Sequence, residues 1–502
     1  MLALPSYGGE PQAVALVRTG TPDNQPERQG RAANGRPVVE PAQHVGSPPP
    51  WGETRPLCAL FSGAHPDDVE LGAGGLVQRM VQRGHVVWFL ILTDEPGCAD
   101  TRRAEAVRSA GRLGVPGSQV IFAGFTDGHL RADRESVALV RRLAAAARIT
   151  ADVVVTHTAA DSHNDHGQAN ALLRAAFRRG TMLFYPIHTS AEPSHISPRL
   201  FVSLAGRVGE VKSAALAEHR SQLWRINRGH RGAFEAQLGH IAGLDRAEAF
   251  EIALQVGAGD VLAELTALND SAFHSFWLPL IRHEPLFLLY DAYLGQPRSV
   301  ERYSRHHESA GRDTLREAFA DHWFPRSPLR ERPATQDNEP IAAMEHLLLV
   351  GGPVSNPVAR RLLNRDPAVD WVVEYGGGSV HLRRRSTGVR VHPRHDRHGL
   401  LVEDVGVLTV VRPALSPGKS LVACAGVHGV GTQGLLRFLA QPQSNRTLAD
   451  QAASGARTQV PVRIDASSLE LRPLADAHQM ASPGRAEQDT GRKGAGSGAR
   501  PR

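Results

Sequence analysis

The chain has 502 residues, which is more than one hydrophobic core normally supports, so we expect two or more domains. Its net charge of +6 comes almost entirely from arginine, and a charge spread in this way along an arginine-rich chain is not that of a nucleic-acid-binding surface. The three cysteines are far apart and form no CxxC pair, which argues against a disulfide framework and against a cysteine-ligated metal.

Both ends of the chain have the composition of disordered segments. Residues 1–55 are rich in Pro, Gly, Gln and Arg, and residues 476–502 are similar, so we expect two disordered tails. The start lacks a basic and apolar leader, and no run of eighteen apolar residues occurs, so we expect no export and no membrane partner. These features predict a protein of the reducing cytoplasm.

Strands and helices alternate after the first tail. The predicted strands are 57–61, 86–92, 120–123 and 152–156, and the predicted helices between them are 76–83, 102–113 and 136–147. This alternation predicts an α/β fold with a Rossmann-like, mostly parallel sheet and helices on both faces. In such a sheet, ligands collect at the carboxyl edge of the strands.

Two polar segments follow predicted strands at that edge. The first contains His65, Asp67, Asp68 and Glu70, and the second contains His157, Asp161, His163, Asp165 and His166. Two imidazoles and one carboxylate hold zinc while leaving a fourth position open for water, which is the arrangement of a catalytic site. The glycines at 72–75 lack the GxGxxG spacing of a dinucleotide site. The cofactor that we predict is therefore Zn²⁺, with Fe²⁺ or another divalent metal as the alternative.

The two segments resemble those of the LmbE-like, or PIG-L, family of zinc-dependent de-N-acetylases. Other stretches match family landmarks in family order, namely 86–95, 102–106, 124–128 and 212–222, so the resemblance covers about residues 57–250. Val69 separates the paired aspartates from Glu70, whereas many members have Glu directly after them. This variant is also similar to one found within the family. The resemblance implies a deacetylase domain over residues 56–250.

The resemblance implies that His65, Asp68 and His166 hold the zinc. It also implies that Asp67 is the general base that takes a proton from the attacking water. Of two adjacent aspartates on a turning loop, one can face the metal while the other faces the water.

Four further residues receive roles from the resemblance. His163, as imidazolium, would stabilise the developing oxyanion and protonate the leaving amine, and Asp165 would orient one of the histidines. Arg102 and Asp127 match positions that hold sugar hydroxyls, although a helix start and a turn fit these two residues equally well. His157 and Asp161 receive no role, and we expect His219 to be packed on a helix rather than catalytic.

The remaining chain predicts a second module. Residues 251–325 form a mainly helical extension, with apolar periodicity through 247–268, and residues 326–340 form a polar, Pro-rich linker. Residues 341–475 form a second, smaller α/β domain that contains two strand, glycine-rich loop, helix units. These loops favour an anionic or nucleotide-like small ligand at helix N-termini, while tight turns explain the same glycines.

The sequence as a whole predicts a zinc-dependent hydrolase that removes an N-acyl group, with acetyl favoured, from an amino-sugar-containing small molecule. Family resemblance implies N-acetylglucosaminyl conjugates as the first substrates to try. The alternative is a ligand-sensing regulatory or defence protein with the hydrolase domain as its effector. A metal-binding protein without turnover would have no need of Asp67 and His163. Whether the chain forms an oligomer stays open.

Overall fold

The computed structural model describes residues 55–474 except 192, 227, 256–258, 282–285, 292–297, 324–328, 336–344, 412–418 and 454–457. Apart from Arg55, the two tails predicted to be disordered lie outside the described residues. Within the described part of the chain, no helix is both long and apolar enough to cross a membrane.

The first sheet has seven strands in the order β3-β2-β1-β4-β5-β7-β6. These strands are β1 (Cys58–Gly63), β2 (Val86–Asp94), β3 (Val120–Thr126), β4 (Val153–His157), β5 (Gly180–Tyr185), β6 (Leu200–Ser203) and β7 (Ala247–Gln255). The first five strands in this order are parallel to one another, whereas β7 is antiparallel to both of its neighbours. The predicted mostly parallel sheet is therefore confirmed.

Helices cover both faces of this sheet. They are α1 (Asp68–Gln82), α2 (Ala99–Arg112), α3 (Arg134–Ala146), α4 (Asn164–Ala176), α5 (Arg207–Leu216), α6 (Arg228–Ile241) and α7 (Gly259–Leu268). Alternate strand residues enter opposite cores, so Phe61 packs with α1, α2, α5 and α7, whereas Leu60 packs with α3 and α4. Since β1 and β4 are neighbours and lead to helices on opposite faces, the sheet has a topological switch point between them.

One predicted helical stretch is a strand. Residues 247–255 were expected within an apolar helical repeat, but they form β7, paired with β5 on one side and β6 on the other. Ala247, Glu248 and Ala249 are all buried, and Glu248 bonds to a buried lysine. Short apolar repeats in helices and strands overlap, and here long-range pairing determines which one forms.

The second α/β region has an eight-stranded sheet and a small three-stranded one. The larger sheet runs β18-β17-β15-β16-β10-β8-β9, with β14 beside β15. The strands are β8 (Leu286–Asp291), β9 (Leu329–Ala334), β10 (Leu347–Val350), β11 (Trp371–Gly376), β12 (Ser379–Arg384), β13 (Arg390–Val391), β14 (Arg394–His395), β15 (Leu401–Val411), β16 (Leu421–Gly426), β17 (Thr458–Asp465) and β18 (Leu471–Pro473). Strands β16, β10, β8 and β9 are parallel, and β11, β12 and β13 form the small antiparallel sheet.

The helices of this region also lie on both faces of the larger sheet. They are α8 (Ala272–Ile281), α9 (Arg298–His322), α10 (Pro357–Arg365), α11 (Gly429–Leu439) and α12 (Pro442–Ala453). Helices α8, α9, α11 and α12 share one core with Leu288 and Val350, whereas α10 packs against Leu289 and Leu349 on the opposite face.

The predicted domain boundaries differ from this structure. The second sheet begins with β8, inside the region 251–325 that was expected to be a helical extension, and β9 lies inside the predicted linker 326–340. Strand β9 has a polar sequence because it is an edge strand, with Arg330 and Arg332 exposed and Pro333 where one side needs no partner. A search for apolar runs therefore misses it.

The glycine-rich loops of the second region do not offer free helix N-termini. At the start of α11, the buried Asp404 carboxylate accepts the backbone N–H groups of His428 at 3.0 Å and Gly431 at 2.7 Å. At the start of α10, the Asn356 side chain accepts from Val358 and Ala359 N–H, each at 3.0 Å. These side chains accept N–H groups that an anion would otherwise bind, which favours the interpretation of the glycines as turn residues.

Candidate metal centre

The site lies at the carboxyl edge of the first sheet, at the switch point between β1 and β4. Strand pairing places Phe61 beside Val155, so the segments that follow the two strands leave the sheet side by side. The chain after β1 turns through His65 into α1, and the chain after β4 runs through Asp161 into α4. Residues about a hundred positions apart in sequence therefore meet at one place.

The three predicted ligands converge. Nε2 of His166 lies 3.3 Å from Nδ1 of His65 and 3.5 Å from Oδ1 of Asp68, and His65 Nδ1 lies 3.3 Å from Asp68 Oδ2. Ligands held at about 2.0–2.1 Å in a tetrahedron around zinc are about 3.3 Å apart, so these separations fit such an ion. Asp68 and His166 are 3% and 4% exposed, which suits a site that excludes bulk water.

The second nitrogen of each histidine is held by a carboxylate. Nε2 of His65 lies 3.0 Å from Oδ1 of Asp127, and Nδ1 of His166 lies 2.9 Å from Oδ2 of Asp161. Carboxylates in this position fix the ring and the tautomer, and they make the facing nitrogen a better donor to a metal. Asp127, expected to hold a sugar hydroxyl, and Asp161, without an assigned role, are both placed as partners of the ligand histidines.

Asp165 contacts both His65 and the turn that follows β3. Its Oδ2 accepts the Gly128 backbone N–H at 2.7 Å and lies 3.6 Å from His65 Nε2. The expected role beside one of the histidines is therefore consistent with its place. Because Gly128 follows Asp127 directly, Asp165 also ties the turn after β3 to helix α4.

The charges of the site favour a cation. Burial lowers the pKa of His65, but the carboxylates of Asp68, Asp127 and Asp165 outweigh this effect and raise it to about 12. Burial also opposes charge on His166, yet Asp68 and Asp161 raise its pKa. The carboxylates around these two histidines therefore carry negative charge that the rings do not balance when they are neutral. A divalent metal would supply the missing positive charge.

Two other groups of donors overlap with this one. Donor atoms of His157, Asp161 and His166, and those of His65, Asp127 and Asp165, also lie within 4.8 Å of one another. In the first group, His157 Nε2 already accepts the Ala64 N–H at 3.0 Å. In the second group, both carboxylates contact Nε2 of His65, which is not the nitrogen that faces His166. Of the three groups found among the described residues, that of His65, Asp68 and His166 is therefore the one that uses the two nitrogens facing each other, His65 Nδ1 and His166 Nε2.

His157 has a structural position that its sequence did not reveal. It is the last residue of β4, it is fully buried, and its ring stacks on that of His166 with centroids 4.0 Å apart. Burial lowers its pKa to about 4, so the ring is neutral at neutral pH. Because Nε2 accepts from Ala64, this histidine holds the turn after β1 against β4. The sequence signal that could have indicated this position is a polar residue at the end of an apolar strand.

Asp67 occupies the strained position before α1. Its φ of 128° and ψ of −20° lie where residues other than glycine are rare. Burial and the neighbouring Asp68 raise the pKa of its carboxyl group to about 6, within the range useful for a general base. The adjacent Asp68 lies 3.3 Å from His65 and 3.5 Å from His166, whereas Asp67 lies beside Arg102, so the two carboxylates have different surroundings.

Arg102 lies behind this turn rather than at an open substrate surface. Its Nη2 donates to the Pro66 carbonyl at 3.0 Å and lies 3.6 Å from Asp67 Oδ1, while Nη1 lies 3.0 Å from Glu95 Oε2. The residue is only 4% exposed. The geometry therefore gives Arg102 a role in holding the turn and the Asp67 carboxylate, and it leaves little of the guanidinium for a sugar.

His163 lies on the solvent side of the three donors. It directly precedes α4, its ring stacks on His166 with centroids 4.4 Å apart, and it meets the His65 ring edge-on at 5.0 Å. This position is suitable for contact with a substrate above the metal. Burial and the nearby His166 and His65 lower its pKa, so the environment opposes the imidazolium form that the resemblance implies.

Helix α1 packs unusually close to its neighbours, which explains its glycines. A Cβ added to Gly72 would lie 2.0 Å from the Tyr185 ring, and one added to Gly75 would lie 2.9 Å from Leu204. Tyr185 in turn donates its hydroxyl to the Ser62 carbonyl at 2.8 Å. The glycines therefore bring the helix that begins with Asp68 close to the ends of β1 and β5.

A buried lysine network, not found from the sequence, holds the same helix. Nζ of Lys212 donates to the Leu71 carbonyl and to Glu248, each at 2.8 Å, and lies 3.0 Å from Glu235. The Glu248 carboxylate accepts the N–H groups of Gly75 at 2.7 Å and Leu76 at 2.9 Å. Side chains from α5 and β7 thus bind backbone groups inside α1.

His219 is packed, as expected, but it has a specific partner. It is fully buried after α5, and its Nε2 lies 3.2 Å from Oε1 of the equally buried Glu70. The pair joins α5 to the first turn of α1. His219 belongs to none of the donor groups found among the described residues.

Comparison with known proteins gives three kinds of match. The PIG-L family, described as GlcNAc-PI de-N-acetylase, matches residues 60–177. An Escherichia coli K12 protein described as an uncharacterized deacetylase is 30% identical over 169 residues, which cover 32% of this chain and 90% of that protein.

Two solved structures are similar to part of this chain. An N,N'-diacetylchitobiose deacetylase from Pyrococcus horikoshii is 21% identical with a TM-score of 0.34, covering 39% of this chain and 83% of the other. A 4-carboxy-2-hydroxymuconate hydratase from Pseudomonas putida is 20% identical with a TM-score of 0.34, covering 40% of this chain and 98% of the other.

Proposed function

The chain belongs to the PIG-L family, and we propose that it is a metal-dependent hydrolase that removes an N-acetyl group from an amino-sugar-containing small molecule. The observation that carries this proposal is the convergence of His65 Nδ1, Asp68 and His166 Nε2 at 3.3–3.5 Å from one another beside the Asp67 carboxylate. A metal ligand set next to a separate, partly buried carboxylate is what water-dependent amide cleavage requires.

His65, Asp68 and His166 would hold the metal, and zinc is the ion that we propose. When bound, zinc lowers the pKa of water to about 7 and polarises a carbonyl. Two imidazoles and one carboxylate would leave positions on the metal for the oxygen of the water and the oxygen of the substrate carbonyl. Asp161 and Asp127 keep the ligand histidines in place through their outer nitrogens.

The remaining residues of the site would move and stabilise charge. Asp67 would take the proton from the attacking water, because its carboxyl group has a raised pKa and lies beside Arg102 rather than among the converging donors. Arg102 would keep that carboxylate in position. His163, on the open side, would donate a hydrogen bond to the oxygen of the tetrahedral intermediate and a proton to the leaving amine.

The substrate class rests on the family match, whose description names an N-acetylglucosaminyl lipid, and on the similarity to a deacetylase of E. coli. An N-acetylglucosaminide is therefore the proposed substrate, without a choice among sugar conjugates of different aglycones. The mixed polar lining of the site is compatible with a hydroxylated substrate, since carboxylates and imidazoles accept and donate hydrogen bonds.

The test is hydrolysis of a panel of N-acetylglucosaminides by the full chain, measured as acetate release. We expect activity on at least one member, loss of activity after metal chelation, and recovery when Zn²⁺ is added back. Activity that survives complete removal of the metal would contradict the metal-dependent proposal. Absence of acetate release from every member by the metal-loaded protein would contradict the proposed substrate class.

A further inference from the structure

One large apolar side chain of the first α/β region is turned into solvent. Trp224 is 75% exposed, which is the highest value among the large apolar residues that the structure describes. Tryptophan is on average highly buried in folded proteins, so this exposure is unusual. The only polar group of the side chain, the indole N–H, donates to the Ser221 carbonyl at 3.0 Å. Trp224 therefore presents an apolar ring to solvent.

The ring is carried by a segment that is fixed on both sides of it. Gln222 and Ile226 are both buried, and the N–H groups of Arg225 and Ile226 donate to the Gln222 carbonyl at 2.9 and 3.0 Å. The Arg225 guanidinium lies over the Trp224 ring, 4.7 Å from its centre. Because the residue is nevertheless largely exposed, the opposite face of the indole is open. A ring that is fixed in advance loses little conformational entropy when a ligand binds.

The segment of residues 219–226 is tied to the two helices nearest the metal centre. At its start, His219 Nε2 lies 3.2 Å from Glu70 in the first turn of α1. Ser221 donates its N–H and its hydroxyl to the Glu105 carboxylate of α2, at 2.9 and 2.6 Å. The position of the indole is therefore determined by the same helices that position the converging donors.

The side of α2 that meets this segment is also the side that meets the proposed general base. Arg102, one turn before the carboxylate that holds the segment, lies 3.6 Å from Asp67 and 3.0 Å from Glu95. Burial and the Glu95 carboxylate raise the pKa of the Cys98 thiol, just before α2. The positive charge of Arg225 opposes this rise, so the guanidinium lies near the start of α2. The indole stacked on Arg225 is therefore at the rim of the metal centre.

We propose that the open face of Trp224 binds an aromatic aglycone of the substrate, so that the substrate class is an aryl N-acetylglucosaminide. This inference rests on the proposed function, which places the acetamido group at the metal and the aglycone toward the rim. Stacked aromatic rings attract each other beyond the effect of the area that they bury. A second sugar would bring hydroxyl groups to a ring whose N–H is already bonded to Ser221, so it is the poorer match.

The experiment compares three β-N-acetylglucosaminides that have methanol, phenol or glucose as the aglycone. Acetate release by the metal-loaded full chain gives kcat/KM for each of them. We expect the phenyl glycoside to exceed the methyl glycoside by about three- to tenfold, the effect of one aromatic pair. In Trp224→Ala this preference should disappear, whereas Trp224→Phe should keep part of it because an aromatic face remains.

Three results overturn the proposal. They are the absence of a phenyl preference in the wild type, a phenyl preference that persists in Trp224→Ala, and a preference for the glucose aglycone that depends on Trp224. The last result would assign the indole to a second sugar.

Two control variants separate the indole from its surroundings. Leu223→Ala changes the neighbouring residue, which lines a different space, a cavity of about 370 Å³ between the segment and α5. Tyr375→Ala removes another exposed aromatic ring, in the second α/β region. Both should keep the ratio of phenyl to methyl activity, and thermal melting checks that all variants fold. An equal loss of the ratio in Leu223→Ala would show that the shape of the segment, not the indole, sets the preference.

A binding measurement distinguishes failure of this inference from failure of the proposed function. Isothermal titration of metal-loaded Asp67→Asn gives the affinities for the phenyl and methyl glycosides without turnover. If the wild type releases no acetate but the phenyl glycoside binds more tightly in a way that depends on Trp224, the aglycone site stands and the proposed function fails. If acetate is released equally from both glycosides, the proposed function stands and the aglycone site fails.

Discussion

At the scale of single residues, the site depends on two adjacent aspartates that face in different directions. Asp68 begins α1 and accepts the His65 backbone N–H at 2.7 Å, which fixes it toward the histidines. Asp67, one residue earlier, has a φ of 128° and turns its carboxylate to Arg102 instead. The unfavourable backbone conformation is what separates the two carboxylates, and contacts with Pro66 and α2 maintain it.

Removal of a ligand should remove the metal. We expect His65→Ala, Asp68→Ala and His166→Ala each to lose the bound ion in elemental analysis, because a site with three protein ligands cannot replace one by water without a large loss of affinity. His163→Ala is the matched control, since it removes a neighbouring imidazole that is not among the converging donors. Metal loss in His163→Ala with retention in His65→Ala would show that the ligand set is wrong.

Asp67→Asn should separate chemistry from binding. The amide keeps the shape of the side chain but cannot accept a proton, so turnover should fall by about 100-fold or more while the metal content stays unchanged. Steady-state kinetics and metal analysis on the same preparation measure both quantities. A variant with wild-type turnover would move the general base to another carboxylate, with Asp161 and Glu70 the first to test.

At the scale of elements, much of the first sheet and the convergence of His65, Asp68 and His166 could be predicted from the sequence. Two apolar strands, with the helices between them, determine where the carboxyl edge of the sheet lies, and these strands lead to His65 and His157. Residues near that edge therefore come close together whatever the details of side-chain packing. The contacts of Asp161, Asp127 and Arg102 could not be predicted. They depend on how loops from three strands pack together, and local patterning carries no signal for this.

Strand β7 and Lys212 illustrate the same limit. Glu248 is a charged residue in the middle of a buried strand, and only its pairing with a lysine from α5 makes that position acceptable. Neither partner predicts the other from sequence spacing. The polar edge strand β9 was missed because its parallel pairing with β8 involves a sequence segment with few apolar residues.

Gly72 and Gly111 provide a matched test of why α1 is rich in glycine. Gly72→Ala should destabilise the protein by about 1–3 kcal/mol, because the added methyl group meets the Tyr185 ring. Gly111→Ala, in helix α2 with open space around it, should instead stabilise by about 0.5–1 kcal/mol. Urea unfolding measures both changes. Equal effects of the two substitutions would contradict a packing role for Gly72.

Lys212 should be essential for stability because it is buried among carboxylates. Lys212→Met leaves Glu248 without its cationic partner, and breaking a buried ion pair in this way costs about 3–5 kcal/mol. The double variant Lys212→Met with Glu248→Gln removes the unpaired charge and should recover part of the loss. Shifts in the urea midpoint of Lys212→Met, of Glu248→Gln and of the double variant, each relative to the wild type, give the comparison, and a double variant less stable than expected from adding both single changes would contradict this pairing.

At the scale of the whole molecule, the two α/β regions make direct contact through helices rather than through their sheets. The Gln443 side chain of α12 donates to the His240 carbonyl of α6 at 2.8 Å, and the Ala272 N–H at the start of α8 donates to the Ala242 carbonyl at 2.8 Å. The second region is therefore attached to the first through α6 and the segment that follows it.

Gly243 is the residue on which this contact depends most. It has a φ of +70°, and an added Cβ would lie 2.7 Å from the Pro442 carbonyl oxygen at the start of α12. Gly243→Ala must therefore strain the backbone and also push the two regions apart, at a cost of about 1–3 kcal/mol. We expect calorimetry to show two separate thermal transitions in this variant where the wild type shows more cooperative unfolding.

Arg446→Ala, which removes an exposed ion pair with Asp245 across the same contact, should leave the profile nearly unchanged. The opposite result, separation in Arg446→Ala with none in Gly243→Ala, would mean that charge rather than close packing joins the two regions.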